Sequence, residues 1–341
     1  MSRHDLVGIW WQDAERIPRS QGGDNRPRPM PPIPDTGWMP PAEFPRLDAA
    51  RLIAIDTETC DPHLSERGPG VRTGGYIVGL AVGTDDGQRW YFPMRHTVQR
   101  EMNLDPDVVL RWARNELCRT GQPKVGANLL YDLDYLYAAK VPVTGPFYDV
   151  QIAEPLLDEN AFSYSLESIG RKHLGEGKRD DALYRWSAVA YGGKPERAQA
   201  ANIWRCPPAL VGPYAEGDVD LPLRILEKQR TRLGEQDLID LFDLESRLIP
   251  LLLAMRQRGV RVDVGAAQRV YDLFTERIKS AEQRLGGINV YAANDIARYC
   301  QKHHIEFGVT EQGNPSFTAS FLEHHSDPLI RSIHDVRKWY K

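Results

Sequence analysis

The sequence predicts an α/β domain built on a mixed sheet flanked by helices, followed by a smaller, mainly helical segment. Three observations carry that expectation. The apolar run Leu52-Ile53-Ala54-Ile55 passes straight into Asp56-Thr57-Glu58-Thr59, as a buried strand does when its end delivers carboxylates to a cleft. Strand-like and helix-like patterns then alternate as far as residue 140. From about residue 237 onward only helical spacing remains.

Before the first strand, residues 18–45 are dense in proline, including Arg26-Pro27-Arg28-Pro29 and Pro31-Pro32-Ile33-Pro34. Proline lacks an N–H and fixes its backbone, so this reads as an extended, partly disordered tail or linker. Trp10, Trp11 and Trp38 leave a docking role open. Strands are expected at 52–55, 76–82 and 89–92, the last two joined by the turn Asp85-Asp86-Gly87. A helix follows, with Pro106 near its start and an apolar stripe of Val109, Leu110, Ala113 and Leu117. A short strand at 124–127 and a helix at 128–140 complete the alternation.

Helices are next expected at 148–157, 165–174 and 207–233, with Ser165 opening the second and Gly175 closing it. Gly192-Gly193-Lys194-Pro195 reads as a loop. In the last segment Leu238, Leu241, Leu244, Leu248, Leu251, Leu252 and Met255 recur at helical spacing up to Gly259. Asp263 caps a further helix ended by Gly286-Gly287, and Asn294 precedes a short one. The domain boundary is placed at 233–237, dividing the chain into an arm (1–46), an α/β domain (47–235) and a helical segment (236–341).

A chain of 341 residues, 41% hydrophobic and 26% charged, suits a globular protein of two domains. No apolar run reaches the length of a membrane span, and the start lacks the pattern of a signal peptide, so a cytoplasmic location, bacterial or in a virus's host, with no membrane partner is the default. Cys60, Cys118, Cys206 and Cys300 have no CxxC spacing and read as reduced thiols. The formal net charge of −4 does not advertise nucleic-acid binding, although cations on a carboxylate-lined site would reverse the field locally.

Residues two apart on a strand share a face, so Asp56 and Glu58 can converge on a hard divalent cation, Mg²⁺ or Mn²⁺. Alone, such a pair is more often a solvated strand end. Asn128 and Asp132, four apart at the start of a helix, share a face of it, with Asp134 competing for the role of Asp132. Tyr214 and Asp218 repeat the spacing; singly, each is more often a packing residue or a solvated helix charge. His303-His304, His324-His325 and Cys300 lack zinc-site spacing and read as surface residues. Arg224, Lys228, Arg230 and Arg232 read as a solvated helix face that could border a nucleic-acid groove.

Taken in order, Asp56-Thr57-Glu58, Asn128 with Asp132, and Tyr214 with Asp218 resemble the three motifs of the DEDDy 3′-5′ exonucleases, in the DnaQ-like, ribonuclease H-like superfamily. The similarity is greatest to the proofreading domain of family A DNA polymerases, and it includes the residues from Val125 to Asp132, Tyr148-Asp149-Val150 and Ser165-Leu166-Glu167. The helical remainder resembles the start of the polymerase thumb through Glu245, Leu248, Met255, Gly259-Val260-Arg261-Val262-Asp263, Thr310, Gly313-Asn314-Pro315-Ser316 and Arg337. Together the two resemblances cover nearly everything after Arg46.

The resemblance implies a ribonuclease H-like fold and metal-dependent hydrolysis of DNA from its 3′ end to nucleoside monophosphates. Asp56, Glu58 and Asp218 would bind one Mg²⁺ or Mn²⁺, with Asp56 bridging to a second ion held by Asp132, and Tyr214 would orient the attacking water. Thr57 and Asn128 would contact the strand, either single-stranded DNA or a frayed primer 3′ end. His334-Asp335 lacks the following acid of the palm signature, and palm and fingers motifs are absent as far as Lys341. The resemblance therefore implies trimming without polymerisation, with a separate palm-and-fingers chain as a further partner. Two other readings are a ribonuclease D-like RNA exonuclease and a non-catalytic polymerase-assembly module. Pro213 and Pro222 imply a kink in the helix bearing Tyr214 and Asp218.

Overall fold

A computed structural model of the chain describes residues 30–178 and 181–339. Trp10, Trp11 and the prolines before residue 30 lie outside the described residues. Two compact units emerge, Met1–Arg258 and Gly259–Lys341.

In the first unit, strands β1 (Ile53–Cys60), β2 (Tyr76–Thr84), β3 (Arg89–Pro93), β4 (Lys124–Gly126) and β5 (Phe147–Asp149) form one sheet ordered β3-β2-β1-β4-β5. β1 and β3 run antiparallel to β2 between them, whereas β4 and β5 run parallel to β1. This is the mixed, helix-flanked sheet of the ribonuclease H-like expectation. The helices are α1 (Leu64–Arg67), α2 (Pro106–Leu117), α3 (Leu129–Ala138), α4 (Val150–Leu157), α5 (Leu166–Leu174), α6 (Asp181–Tyr191), α7 (Pro208–Glu235) and α8 (Ile239–Arg258), with a 3₁₀ helix at Arg197–Arg205.

Side-chain parity along β1 divides the core in two. Ile53 and Ile55 join Leu80, Val82 and Phe92 against α2 and α3. Ala54 joins Ala81, Tyr91 and Val125 against α4, α5, α6 and α7. Because successive strand residues alternate faces, Asp56 and Glu58 inherit the α7 side from Ala54, and Thr57 inherits the α3 side.

Several expectations need correction. β1 runs on to Cys60, because β2 pairs along its whole length, so Asp56 and Glu58 lie within the strand and not past its end. Tyr148 and Asp149 belong to β5, and the helix expected from 148 starts at Val150. α6 and the 3₁₀ helix were not foreseen. Pro213 and Pro222 both lie inside α7, which ends at neither of them. α8 packs its Phe242 and Ile249 into the cores of the first unit, and the two compact units part at 258/259.

Residues 30–46 have no regular secondary structure, yet they are not a loose tail. Trp38 packs beside Tyr91 on one face of the sheet, and Phe44 stacks on Phe92 on the other, with ring centroids 6.0 and 5.4 Å apart. The segment thus passes from face to face beside the edge strand β3. Hydrogen bonds from Trp112 Nε1 to Pro45 O (2.8 Å) and from Leu47 N to Glu116 Oε2 (2.8 Å) hold it there.

The second unit contains α9 (Val264–Leu285), α10 (Ala293–Lys302), the hairpin β6 (Gly308–Val309) and β7 (Pro315–Ser316), α11 (Ala319–His324) and α12 (Pro328–Trp339). Asp263 caps α9 through Ala266 N at 2.9 Å, and Gly286, at φ 58°, ends it. α10 starts one residue before Asn294, and the hairpin interrupts what the sequence offered as helix alone. Ala281, Leu285, Ile296, Ile330 and Ile333 centre this unit's own core.

One buried group makes the first unit's stability depend on pH. His96 is 2% exposed, and its Nδ1 lies 2.9 Å from the Cys206 carbonyl, which can only accept, so Nδ1 carries the proton and Nε2 accepts from Tyr91 Oη at 2.7 Å. Burial lowers its pKa from 6.5 to about 4, against the raising effect of the carbonyl contact. As pH falls below about 6.5, the unfolded chain takes up a proton that the folded chain refuses. Stability present above about pH 6.5 is therefore lost progressively down to about pH 4, by up to about 3 kcal/mol. Denaturant titrations at pH 7 and pH 5 are expected to show a smaller difference for His96→Gln than for the unaltered protein, and an unchanged difference would refute this.

Candidate active site

Three carboxylates meet where β1 faces α7. Oxygen atoms of Asp56, Glu58 and Asp218 lie within 4.8 Å of one another. β1 supplies the first two by its period of two, and α7, laid across the same face, supplies the third. Glu58 is 6% exposed, and its Oε1 is buried with no hydrogen-bond partner among the described residues. A buried carboxylate oxygen left unpaired is costly unless something binds it.

The electrostatics are those of crowded, desolvated negative charge. Burial, and then the charge of Asp218, raises the Asp56 pKa to about 7. Burial and the neighbouring Asp56 and Asp218 hold Glu58 well above the usual carboxylate range. Such a cluster favours a hard divalent cation, which supplies the missing positive charge to oxygen ligands. The residues present therefore fit a divalent ion, with Asp56, Glu58 and Asp218 as its holders.

Asp132 stands outside this close trio. It projects from the first turn of α3, and its Oδ1 accepts from Thr57 N (2.9 Å) and Thr57 Oγ1 (2.6 Å). Burial, then the charge of Asp56, raises its pKa as well. Thr57 thus faces α3 as its parity requires, and its hydroxyl serves Asp132. Asp134 is no competitor for the site: Arg72 reaches its two oxygens at 3.3 Å each.

Asn128 precedes α3 in the left-handed region, φ 63°, which asparagine tolerates better than most residues. The Leu129 N–H beside it donates to Asp149 Oδ2 at 2.7 Å, fixing the turn from the far end of β5. Exposed, Asn128 lines a cleft of about 570 Å³ together with Asp56, Glu58, Asp132, Tyr214 and Asp218. All of the site residues read from the sequence thus border one opening. Arg197, from the 3₁₀ helix, borders it too.

Lys178 is the residue that sequence reasoning missed. Its ammonium donates to Tyr214 Oη at 2.6 Å, pairs with Asp218 Oδ2 at 2.5 Å and lies 4.5 Å from the centre of the Tyr214 ring. Burial alone would lower its pKa, but Asp218 raises it on balance, so it stays charged. Burial and the nearby acids hold the Tyr214 phenol well above its ordinary value. Protonated, and accepting from Lys178, Tyr214 keeps its own O–H to donate into the cleft. Four acids thus crowd the cleft floor around one ammonium, with Arg197 at the border.

Of the residues read as lying on the surface, His303, His304 and His324 are exposed, but Cys300 is buried in the second unit's core, and among the described residues the close trio is the only cluster of three or more candidate ligands. Arg224 is tied to Asp220 (2.9 Å) and to Glu176, and Arg230 lies over the Tyr148 ring.

No family model matches the chain. It is 34% identical over 315 residues to a DNA-directed DNA polymerase of Pseudomonas phage M6, covering 88% of this chain and 46% of the relative. It is 28% identical over 223 residues to DNA polymerase I of Pseudomonas aeruginosa, covering 64% of this chain and 23% of that protein. The chain thus spans about half the length, or less, of the curated relatives it matches. Among solved structures, the POL domain of Pol1 from M. smegmatis, in complex with DNA primer-template and dNTP, matches 84% of this chain and 44% of its own with a TM-score of 0.51 at 16% identity. That likeness is one of fold.

Proposed function

We propose, from the premise that this chain is homologous over most of its length to phage and bacterial DNA polymerases, that its cleft is a divalent-metal-dependent 3′-5′ exonuclease site acting on DNA. The observation that carries the reading is the trio Asp56, Glu58 and Asp218, with an unpartnered Glu58 oxygen and Tyr214 beside it in one open cleft.

Hydrolysis forms a bond from water oxygen to phosphorus and breaks the bond to the 3′ oxygen, releasing a nucleoside monophosphate and a strand shortened by one. Asp56, Glu58 and Asp218 would hold the ion, and Asp132 a second one. Divalent ions so held, Mg²⁺ or Mn²⁺, activate water and neutralise charge developing on the phosphoryl and leaving oxygens. Tyr214, fixed by Lys178, would donate its O–H to the attacking water and orient it. Asn128 and Thr57 line the path of the strand, and Arg197 offers a charge to its phosphates.

Supporting a proofreading role, the homology runs through both units to a polymerase, and the segment from α8 onward would begin a thumb. The three-part division at 46 and 235 then stands as a functional one, arm, exonuclease and thumb-like segment, whatever the packing of α8. A single-stranded DNA labelled at its 5′ end is expected to shorten one nucleotide at a time with Mg²⁺ or Mn²⁺. An RNA of the same sequence is expected to be cut at least tenfold more slowly. Equal or faster cutting of RNA would favour the ribonuclease D-like reading, and no cutting of either would leave the assembly role.

A further inference from the structure

Pro213 sits one turn into α7 and one residue before Tyr214. Its ring nitrogen carries no hydrogen, so the carbonyl of Ala209, four residues back, loses its normal helical donor. A donor arrives from far away in sequence: Thr36 Oγ1 donates to Ala209 O at 2.7 Å. Two residues on, Trp38 Nε1 donates to Glu216 Oε1 at 2.9 Å. Its indole also fills the space where a side chain at position 212 would stand, which is why that position is glycine. Pro32 O accepts from Trp186 Nε1 at 3.2 Å, anchoring the same segment on α6.

Helical geometry gives these contacts a direction. Tyr214 and Asp218, four apart, share the face turned to β1, whereas Glu216, midway between them, points to roughly the opposite side. Thr36 and Trp38 therefore grip the back of the one turn whose front carries both groups.

We propose that residues 32–38 are a positioning strap for the active-site helix. Thr36 supplies the hydrogen bond that Pro213 withholds, and Trp38 clamps Gly212 and Glu216, so that Tyr214 and Asp218 keep their distance from Asp56 and Glu58. The gap left by Pro213 is the strap's point of attachment. The catalytic consequence rests on the exonuclease reading; the attachment itself does not.

The test is a double-mutant cycle on the whole chain, with Thr36→Val removing the hydroxyl and Pro213→Ala restoring the helical N–H. Each protein is assayed for exonucleolytic kcat and KM on single-stranded DNA, for Mn²⁺ affinity by calorimetry and for thermal midpoint. Thr36→Val is expected to lower kcat about tenfold with KM within about twofold, and to weaken Mn²⁺ binding several-fold, as losing one part-buried hydrogen bond allows. Thr36→Ser should restore both. With alanine at 213 the same Thr36→Val change should cost less than about twofold. Trp38→Phe, which keeps an aromatic ring but removes the indole N–H and part of the packing on Gly212, should also lower kcat and Mn²⁺ affinity.

Equal losses with proline or alanine at 213 would overturn the proposal, and so would a loss confined to the thermal midpoint with kcat and Mn²⁺ affinity unmoved. If the unaltered protein cuts no nucleic acid, the exonuclease reading falls, while the Mn²⁺ affinities around the cycle still decide the strap.

Discussion

Asp56→Asn is expected to lower hydrolysis of single-stranded DNA by about 10³-fold or more, and at the same time to raise the thermal midpoint of the ion-free protein. The first effect follows because Asp56 joins Glu58 and Asp218 in the only close acidic trio among the described residues. On the proposed function Asp56 would hold an ion, and losing one holder of an ion that supplies several kcal/mol of transition-state stabilisation costs on the order of three powers of ten. The second follows because these carboxyls repel one another in a desolvated place, as their raised pKa values record. Removing one charge relieves the others, the usual trade at a site built for function. Mn²⁺ should stabilise the unaltered protein and leave Asp56→Asn nearly unmoved. Hydrolysis at full rate by the Asp56→Asn protein, or an Mn²⁺ shift as large as that of the unaltered one, would show that the ion is held elsewhere.

Tyr214→Phe is expected to lower kcat about 10²-fold while KM, Mn²⁺ affinity and thermal midpoint change little. The ring is 5% exposed and packs near Tyr184, and phenylalanine keeps that packing. Only the hydroxyl goes, and with it the donor that, on the proposed function, would orient water; misorientation of a reacting group costs about this much. Lys178 loses one acceptor but keeps Asp218. Single-turnover rates on a 3′-labelled strand would separate this from slow product release, and an unchanged single-turnover rate would remove Tyr214 from the reaction.

What the sequence disclosed and what it hid have physical causes. β1 was legible because four consecutive apolar residues need burial on both faces, and α9 because Asp263 and Gly286 mark its ends. β5 was not, since three residues cannot display an alternation. α6 was missed because Leu183, Tyr184, Trp186, Ser187, Ala188 and Ala190 are all buried, which blurs a single apolar stripe. The site motifs could be read because each pair is local, two apart on a strand or four apart on a helix. Lys178 could not: a lone lysine in Gly175-Glu176-Gly177-Lys178 gains meaning only when the loop meets α7. The prolines of the arm accord with the lack of regular secondary structure over residues 30–46, but Trp38 finds Gly212 across a sequence distance that no local pattern records. Similarly, the helical stripe of α8 said nothing about which unit would receive Phe242.

The parity of β1 also constrains how this chain can change over generations. With Ile53 and Ile55 held in the core, a deletion or insertion of one residue between Ile55 and Asp56 would turn Asp56 and Glu58 to the α3 side and Thr57 to the α7 side, taking the acids out of the cleft. Between Ile53 and Glu58 length variation should therefore be tolerated in steps of two, or where a bulge absorbs the odd residue as the register shift between Glu58 and Thr59 does, whereas the exposed turn at Asp85-Asp86-Gly87 carries no such restriction. Among descendants of this gene, frame-preserving indels should accumulate at that turn and leave the strand's odd-even lettering intact.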